Sequence, residues 1–335
     1  MDRPLRAAVI GLGSMGANHA RVLGSMDGVE LAAVVDADPE RLAAVTSGRS
    51  GVIGYTDHNA MLAEVRPDMV CVVVPTRLHY RVALDTINAG AHLLVEKPIA
   101  ATIDEARAIA ESATRAGITL TVGHIERYNP AVQELGSRIA AGQGGRIFQL
   151  RARRVGPFPH RIRDVGVIHD LAPHDIDVMR YLLREDAERV YAEAQGHIHT
   201  ENEDILAGML HFTGGATGIL DINWLTPTKE RTLTVLCEKG LFIADYAAQS
   251  LAFYENHAGH AREGTVASVT EGPMTRYLVP NREPLRVELE AFRDAVRDRG
   301  RAGRHRDRWH ALPAPSPKRS SPRRNATNPS PSPRS

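Results

Sequence analysis

The chain has 335 residues, of which 43% are hydrophobic and 5% aromatic, so it can bury a full core and has room for two domains. Its two cysteines, Cys71 and Cys237, have no C-x-x-C spacing, which argues against a disulfide framework or a structural zinc site and fits a reducing cytoplasm. No apolar run approaches about 18 residues and no export signal is evident, so we expect a cytoplasmic protein without a membrane span.

A glycine-rich turn follows the first apolar run. Gly11 permits a tight turn after the strand, Gly13 leaves room for phosphates, and Gly16 lets the next helix pack close to the strand. The first N–H groups of that helix attract anions. The pattern predicts a dinucleotide site, although a glycine-rich turn without a ligand would look the same. The predicted cofactor contacts in this turn are Gly11, Gly13, Ser14, Met15 and Gly16.

An acidic residue, Asp36, ends the second predicted strand about 20 residues after the last glycine, where it can accept hydrogen bonds from an adenosine ribose. A carboxylate there repels a 2′-phosphate, so the sequence favours NAD over NADP, although Arg41 could serve a phosphate. The alternative for Asp36 is an ordinary turn formed with Asp38 and Pro39.

Strands and helices alternate from Leu5 to about Val122, which predicts a doubly wound parallel sheet, a Rossmann domain, over residues 1–122. The predicted strands are Ala7–Ile10, Leu31–Val35, Met69–Val74, His92–Val95 and Thr119–Val122. The predicted helices are Gly16–Met26, Pro39–Thr46, His58–Glu64, Tyr80–Ala89 and Thr102–Ala116.

Polar residues follow two of these strands at the edge where ligands bind to such sheets. Pro75, Thr76 and His79 follow the third strand and are predicted cofactor contacts, but a local hydrogen bond explains His79 equally well. Glu96, a further predicted cofactor contact, and Lys97 end the fourth strand, before Pro98. An ammonium group beside a substrate hydroxyl lowers the pKa of that hydroxyl, so Lys97 is a candidate catalytic residue. A surface lysine paired with Glu96 is the alternative.

The pattern changes after residue 122, and residues 123–298 predict an α/β domain with an open, mainly antiparallel sheet. A helix to about Ala141 comes first, and a second helix, Val167 to about Leu183, interrupts the strands. The predicted strands are Arg146–Ala152, Arg189–His197, Ile205–Phe212, Ala216–Trp224, Arg231–Glu238 and Gly240–Asp245.

Asp170 and His174 are four residues apart in the second of these helices, so they share a face if both are helical. A carboxylate one turn from an imidazole can orient it as a general base. Pro173 places the helix start near Asp170 or Leu171. Zinc binding with His169 and a helix cap with a solvated histidine are the alternatives; no thiolate accompanies the set, so we predict no metal site.

An amphipathic helix, Leu285 to about Asp298, precedes a basic segment rich in proline and serine. Residues 299–335 hold ten lysines or arginines against one acid, and we predict that they are disordered. Residues 311–335 have no aromatic residue among their basic ones, so nucleic acid is not the expected partner.

Three motifs, Gly11-x-Gly13-x-x-Gly16, Glu96-Lys97-Pro98 and Asp170-x-x-x-His174, together resemble the Gfo/Idh/MocA oxidoreductase family over residues 5 to 298. The resemblance implies NAD(P)-dependent oxidation of a sugar or cyclitol hydroxyl and a homodimer or homotetramer. It also implies catalytic roles for Lys97, Asp170 and His174.

Residues 123–130 and 151–166 look similar to the UDP-N-acetylglucosamine 3-dehydrogenase branch, which implies a nucleotide-sugar substrate. Arginine side chains there could supply forked donors to a diphosphate, or could be charges on an exposed strand and loop. An inositol or simple sugar dehydrogenase, or a nucleotide-sensing regulator without chemistry, are the alternatives. The predicted substrate contacts are Lys97, Arg127, Tyr128, Arg153, Arg154, Arg161, Arg163 and His174.

Overall fold

A six-stranded parallel sheet with helices on both faces forms the first part of the molecule. The computed structural model describes residues 3–159, 165–198, 202–258 and 269–299. The strands are β1 (Leu5–Ile10), β2 (Val29–Val35), β3 (Ile53–Tyr55), β4 (Met69–Val72), β5 (His92–Glu96) and β6 (Leu120–Gly123). The helices are α1 (Ser14–Leu23), α2 (Pro39–Thr46), α3 (His58–Val65), α4 (Thr76–Asn88) and α5 (Ile103–Arg115).

The strand order β3-β2-β1-β4-β5-β6, with every pair parallel, confirms the predicted doubly wound fold. The central strands are apolar throughout because both faces of the sheet are covered. β3 was missed because it has only three residues, includes Gly54 and lies exposed at the sheet edge.

A second, eight-stranded sheet follows, in the order β14-β13-β12-β11-β7-β10-β9-β8. Its strands are β7 (Ile147–Pro157), β8 (Ala187–Gln195), β9 (Ile205–Phe212), β10 (Thr217–Asn223), β11 (Leu225–Cys237), β12 (Gly240–Asp245), β13 (Ser250–Ala258) and β14 (Val269–Tyr277). Only the β7–β10 pair among these described strands is parallel, which confirms a mainly antiparallel sheet.

One face of this sheet, the inner face, is covered by α6 (Pro130–Ala140), α7 (Val167–Asp170) and α8 (Ala172–Leu183), and a 3-10 turn, Ile125–Tyr128, precedes α6. The single helix predicted from Val167 is therefore two helices, which meet at Leu171 just before Pro173. Sequence analysis also missed β13 and β14. The alternation of buried Leu251 and Phe253 in β13 was available as a signal.

The helix α9 (Pro284–Arg299) packs on the first sheet rather than the second. Leu285, Leu289, Phe292 and Val296, the predicted apolar face, are buried in the core that contains β1 and α1. The predicted domain of residues 123–298 therefore does not follow the packing at its end, since α9 packs with the parallel sheet. Arg299, predicted as the first residue of the tail, ends α9, and residues 300–335 lie outside the described residues.

Candidate active site

The glycine turn between β1 and α1 leaves an open space above its middle glycine. Gly11 has a φ of +95°, and a Cβ there would lie 2.6 Å from the carbonyl oxygen of Val73. A Cβ on Gly16 would overlap the carbonyl oxygen of Gly11. A Cβ on Gly13, in contrast, would meet no heavy atom within 4 Å. The turn therefore has a cradle beside the N-terminus of α1, formed by Ser14 and Met15, that fits a pyrophosphate.

Asp36 holds the glycine turn in place from the end of β2. Its carboxylate accepts hydrogen bonds from the N–H groups of Leu12 at 2.7 Å and Asp38 at 2.9 Å. Arg41 lies 3.8 Å from the same carboxylate. A carboxylate has about four lone-pair positions, so these contacts leave acceptor capacity for a ribose hydroxyl.

Pro75 and Thr76 lie at the start of α4, at the crevice at the ends of β4 and β5. The imidazole of His79 does not face this crevice. Its imidazole is buried, with Nδ1 2.8 Å from the carbonyl oxygen of Pro98 and Nε2 2.8 Å from that of Val74. Both ring nitrogens are thus occupied by backbone, which corrects the cofactor contact predicted for this residue. The local hydrogen bond was the better alternative, and the ring connects the loops that follow β4 and β5.

Glu96 contacts α1, the helix that follows the glycine turn. One carboxylate oxygen lies 3.0 Å from Nε2 of His19, a fully buried histidine of α1, and the other accepts a hydrogen bond from the N–H of Lys97 at 3.1 Å. Sequence analysis did not single out His19. Its position three residues after Gly16, on the helix face toward the sheet, was the available signal.

Lys97 reaches from the first sheet to the second part of the molecule. Its Nζ donates to the carbonyl oxygen of Asp170 at 2.8 Å and to Oδ1 of the same residue at 3.2 Å. The carboxylate of Asp170 therefore contacts Lys97, and no hydrogen bond joins it to His174 within the described residues. The helix break at Leu171 explains the difference, because the shared helical face assumed an uninterrupted helix.

His174 is half-buried close to Lys97, and its Nδ1, which is itself buried, has no hydrogen-bond partner among the described residues. Burial lowers the pKa of His174 well below its usual value, and the positive charges of Arg154 and Lys97 add to this shift. The imidazole is therefore neutral at pH 7 and able to accept a proton. His124 is a second half-buried histidine nearby; partial burial lowers its pKa also, and Asp177 partly offsets this shift.

Three of the predicted substrate arginines are already paired with acids. Arg154 is buried and donates to Asp175 at 2.6 and 3.1 Å and to Glu126 at 2.9 Å. Arg127 donates to Asp177 through Nε at 2.7 Å. Arg153 follows the alternation of β7 to the opposite, outer face, where it pairs with Asp221 and Glu230 at 2.9 Å each.

The placement of Arg153 corrects its predicted substrate contact, since Arg153 and Arg154 point to opposite faces of one strand. Tyr128 is buried where the 3-10 turn packs against α9, which likewise removes it from the crevice. Arg161 and Arg163 lie outside the described residues. Within the parts of the chain that the structure describes, no group of three or more His, Cys, Asp or Glu residues could hold a metal ion.

A six-stranded Rossmann sheet, a glycine cradle and a lysine that meets a second domain define an NAD-binding oxidoreductase. Residues 5–124 match the family described as "Oxidoreductase family, NAD-binding Rossmann fold", and residues 132–243 match the "GFO/IDH/MocA C-terminal domain". The chain belongs to the Gfo/Idh/MocA family, whose related members are sugar and inositol dehydrogenases.

The chain is 31% identical to the UDP-N-acetylglucosamine 3-dehydrogenase of Acidithiobacillus ferrooxidans over 87% of its own length and 88% of that protein. The solved structure of that protein superposes with a TM-score of 0.78 at 29% identity, covering 89% of this chain and 90% of the other. The WlbA dehydrogenase from Bordetella pertussis, solved with NADH and UDP-GlcNAcA, has a TM-score of 0.67 at 26% identity and coverages of 72% and 78%.

A third relative, inositol 2-dehydrogenase 2 of Saccharopolyspora erythraea, is 32% identical over 54% of this chain and 55% of its own length. These similarities confirm the family, the enzyme class and the NAD cofactor. The relatives include both nucleotide-sugar and cyclitol dehydrogenases.

Proposed function

We propose that the protein oxidises the C3 hydroxyl of UDP-N-acetylglucosamine, or of a related UDP-aminosugar, with NAD. The contact between Lys97 and Asp170 beside the half-buried His174 carries this proposal, because it brings an ammonium and a neutral imidazole together at the crevice. The similarity to the Acidithiobacillus ferrooxidans enzyme over most of the chain supports the choice of substrate.

In the proposed reaction an imidazole nitrogen of His174 accepts the hydroxyl proton. The Nζ of Lys97 polarises the hydroxyl oxygen and stabilises the alkoxide that forms on it. Asp170 holds the ammonium in position through its carbonyl and carboxylate oxygens. Bound at the glycine cradle, NAD⁺ supplies the hydride acceptor for the sugar carbon.

The test is the appearance of NADH absorbance when the protein is incubated with NAD and UDP-N-acetylglucosamine. Lys97→Met and His174→Asn should each lower kcat/KM by about 100- to 10,000-fold, as loss of acid–base assistance does. The exposed Lys239, in the turn between β11 and β12, provides the control variant Lys239→Met. Wild-type turnover in both site variants would refute the assignment.

An inositol or simple sugar dehydrogenase is the second candidate, supported by the similarity to inositol 2-dehydrogenase 2. A substrate panel containing myo-inositol, glucose and N-acetylglucosamine distinguishes the candidates. The preferred substrate is the one with the highest kcat/KM, and a preference for a neutral cyclitol would replace the nucleotide-sugar assignment.

We also propose that the outer face of the second sheet forms a homodimer or homotetramer interface. Tyr191, Met209, Leu236 and Met274 are 42–66% exposed there. Light scattering on Leu236→Glu should give a lower molecular mass than for the wild type.

No helix in the described parts of the chain is long and apolar enough to cross a membrane. Cys71 and Cys237 are buried and unpaired, which supports a location in the reducing cytoplasm.

A further inference from the structure

Two arginines lie directly opposite each other on the inner face of the second sheet. Arg154 of β7 pairs in register with Arg231 of β11, and the two strands are antiparallel. Directly opposite residues of such a pair project to the same face and lie within reach of each other, so like charges there are destabilising. Each guanidinium therefore needs a compensating negative charge.

Arg154 has this compensation within the protein. Asp175 and Glu126 together accept three hydrogen bonds from its guanidinium. Burial alone would lower the pKa of Arg154, but the two carboxylates outweigh burial and raise it above the ordinary value. This arginine is held as a cation by its own neighbours and has little capacity left for a ligand.

Arg231 has no carboxylate hydrogen-bonded to it among the described residues, and the charges of Asp175 and Glu126 that act on it are already bonded to Arg154. Its Nη1 donates to the backbone carbonyl oxygens of Val155 and Glu230, at 2.5 and 2.8 Å, and no described carboxylate accepts a hydrogen bond from it. Burial and the charge of Arg154 lower the pKa of Arg231. The two carbonyl contacts fix the guanidinium, while its Nε and Nη2 have no acceptor within the described residues.

Arg231 lies in register opposite Arg154, which is bonded to Asp175, the residue that follows His174 in α8, so its charge lies beside the proposed reaction site. Its positive charge contributes to lowering the pKa of His174, and the charge of Asp170 acts on Arg231 in turn. Lys97, which is bonded to Asp170, completes this group. A half-buried, pre-oriented guanidinium beside the catalytic groups is suited to a planar, forked contact with phosphate oxygens.

We propose that Arg231 binds the diphosphate of the substrate and thereby selects a nucleotide sugar over a neutral sugar. The inference rests on the proposed function and deepens it. It also replaces Arg153 as a candidate for the phosphate contact, because Arg231 lies on the inner face and Arg153 on the outer face. Sequence analysis missed Arg231 because its strand carries no motif, and only the register with Arg154 reveals its position.

The experiment compares Arg231→Gln and Arg231→Lys with the matched control Arg153→Gln. For UDP-N-acetylglucosamine, Arg231→Gln should raise KM about 10- to 150-fold, the effect of losing a charged hydrogen-bonded contact, with kcat within about threefold. Arg231→Lys should recover part of this loss, and Arg153→Gln should match the wild type. NADH binding, measured by fluorescence, should be equal in all four proteins and shows that they are folded.

Binding of UDP to the NAD-saturated protein, measured by calorimetry, separates this inference from the proposed function. If the wild type oxidises only a neutral sugar, the proposed function fails. UDP binding that is at least tenfold weaker in Arg231→Gln would then still support a phosphate contact. An unchanged KM in Arg231→Gln, or no UDP binding to the wild type, would overturn the inference.

Discussion

Replacement by alanine should have different effects at two glycines of the same turn. At Gly13 the φ of −60° suits alanine, and no heavy atom lies within 4 Å of the new Cβ. At Gly16 the new Cβ would overlap the carbonyl oxygen of Gly11, which is backbone and cannot rotate away. We therefore expect Gly13→Ala to impair cofactor binding alone and Gly16→Ala to impair folding.

The expected magnitudes follow from these surroundings. Replacing glycine by alanine where the conformation is compatible changes stability by about +0.4 to +1 kcal/mol, so Gly13→Ala should melt within about 4 °C of the wild type. The methyl group would occupy the phosphate cradle, and overpacking costs about 1–3 kcal/mol, which corresponds to roughly 5- to 150-fold in the Kd for NADH. Gly16→Ala should lose at least about 3 kcal/mol, or about 6 °C in Tm.

Thermal melting without cofactor and NADH titration by fluorescence measure the two effects separately. Ser47→Ala, at the exposed end of α2, serves as a surface control and should change neither quantity. If Gly13→Ala binds NADH as tightly as the wild type, the pyrophosphate does not lie over this glycine. If both variants are equally destabilised, Gly13 has no open space above it and is as crowded as Gly16.

Three further changes test other parts of the structure. Phe292→Ala removes a fully buried ring of α9 and should cost about 3–5 kcal/mol in a denaturant titration, whereas exposed Asp294→Ala should cost less than about 0.5 kcal/mol. Burial, with the nearby charge of Glu96, raises the pKa of Glu288 well above 4.5, so its stabilising contribution is lost as pH rises from 4.5 through the folded-state pKa. Glu288→Gln should therefore gain Tm relative to the wild type as the pH rises above 4.5, and a pH-independent difference would contradict this. Because the pKa of His174 is lowered below 6.5, the acid limb of the kcat/KM profile should fall as the pH drops through that lowered pKa, and an acid limb that begins above pH 6.5 would exclude His174 as the base.

The architecture was largely predictable because its signals are local. The apolar strands of the first sheet, the glycine turn and the amphipathic face of α9 each follow from periodicity or steric requirements within a short stretch. The partner of that face was not predictable. Nothing local to Leu289 or Phe292 indicates that the chain returns to the core of β1 and α1 after forming a second sheet.

In the site too, the residue types were predictable from the sequence, but the partners of several residues were not. Lys97 and His174 lie near each other, as their motifs indicated, yet Asp170 contacts the lysine rather than the imidazole because the helix breaks at Leu171. The acids that neutralise Arg154 were visible in the sequence but had no spacing that links them to it. Strand alternation could have separated Arg153 from Arg154, since consecutive residues of a strand cannot share a face.

The return of α9 to the parallel sheet means that the polypeptide crosses between the two halves twice, after β6 and again before α9. With a single chain connection, one half could rotate freely about the other. Two connections reduce this freedom to a hinge-like motion about the line that joins them. Lys97 lies on one side of this line and Asp170 on the other, so their contact links the two halves independently of the two chain crossings.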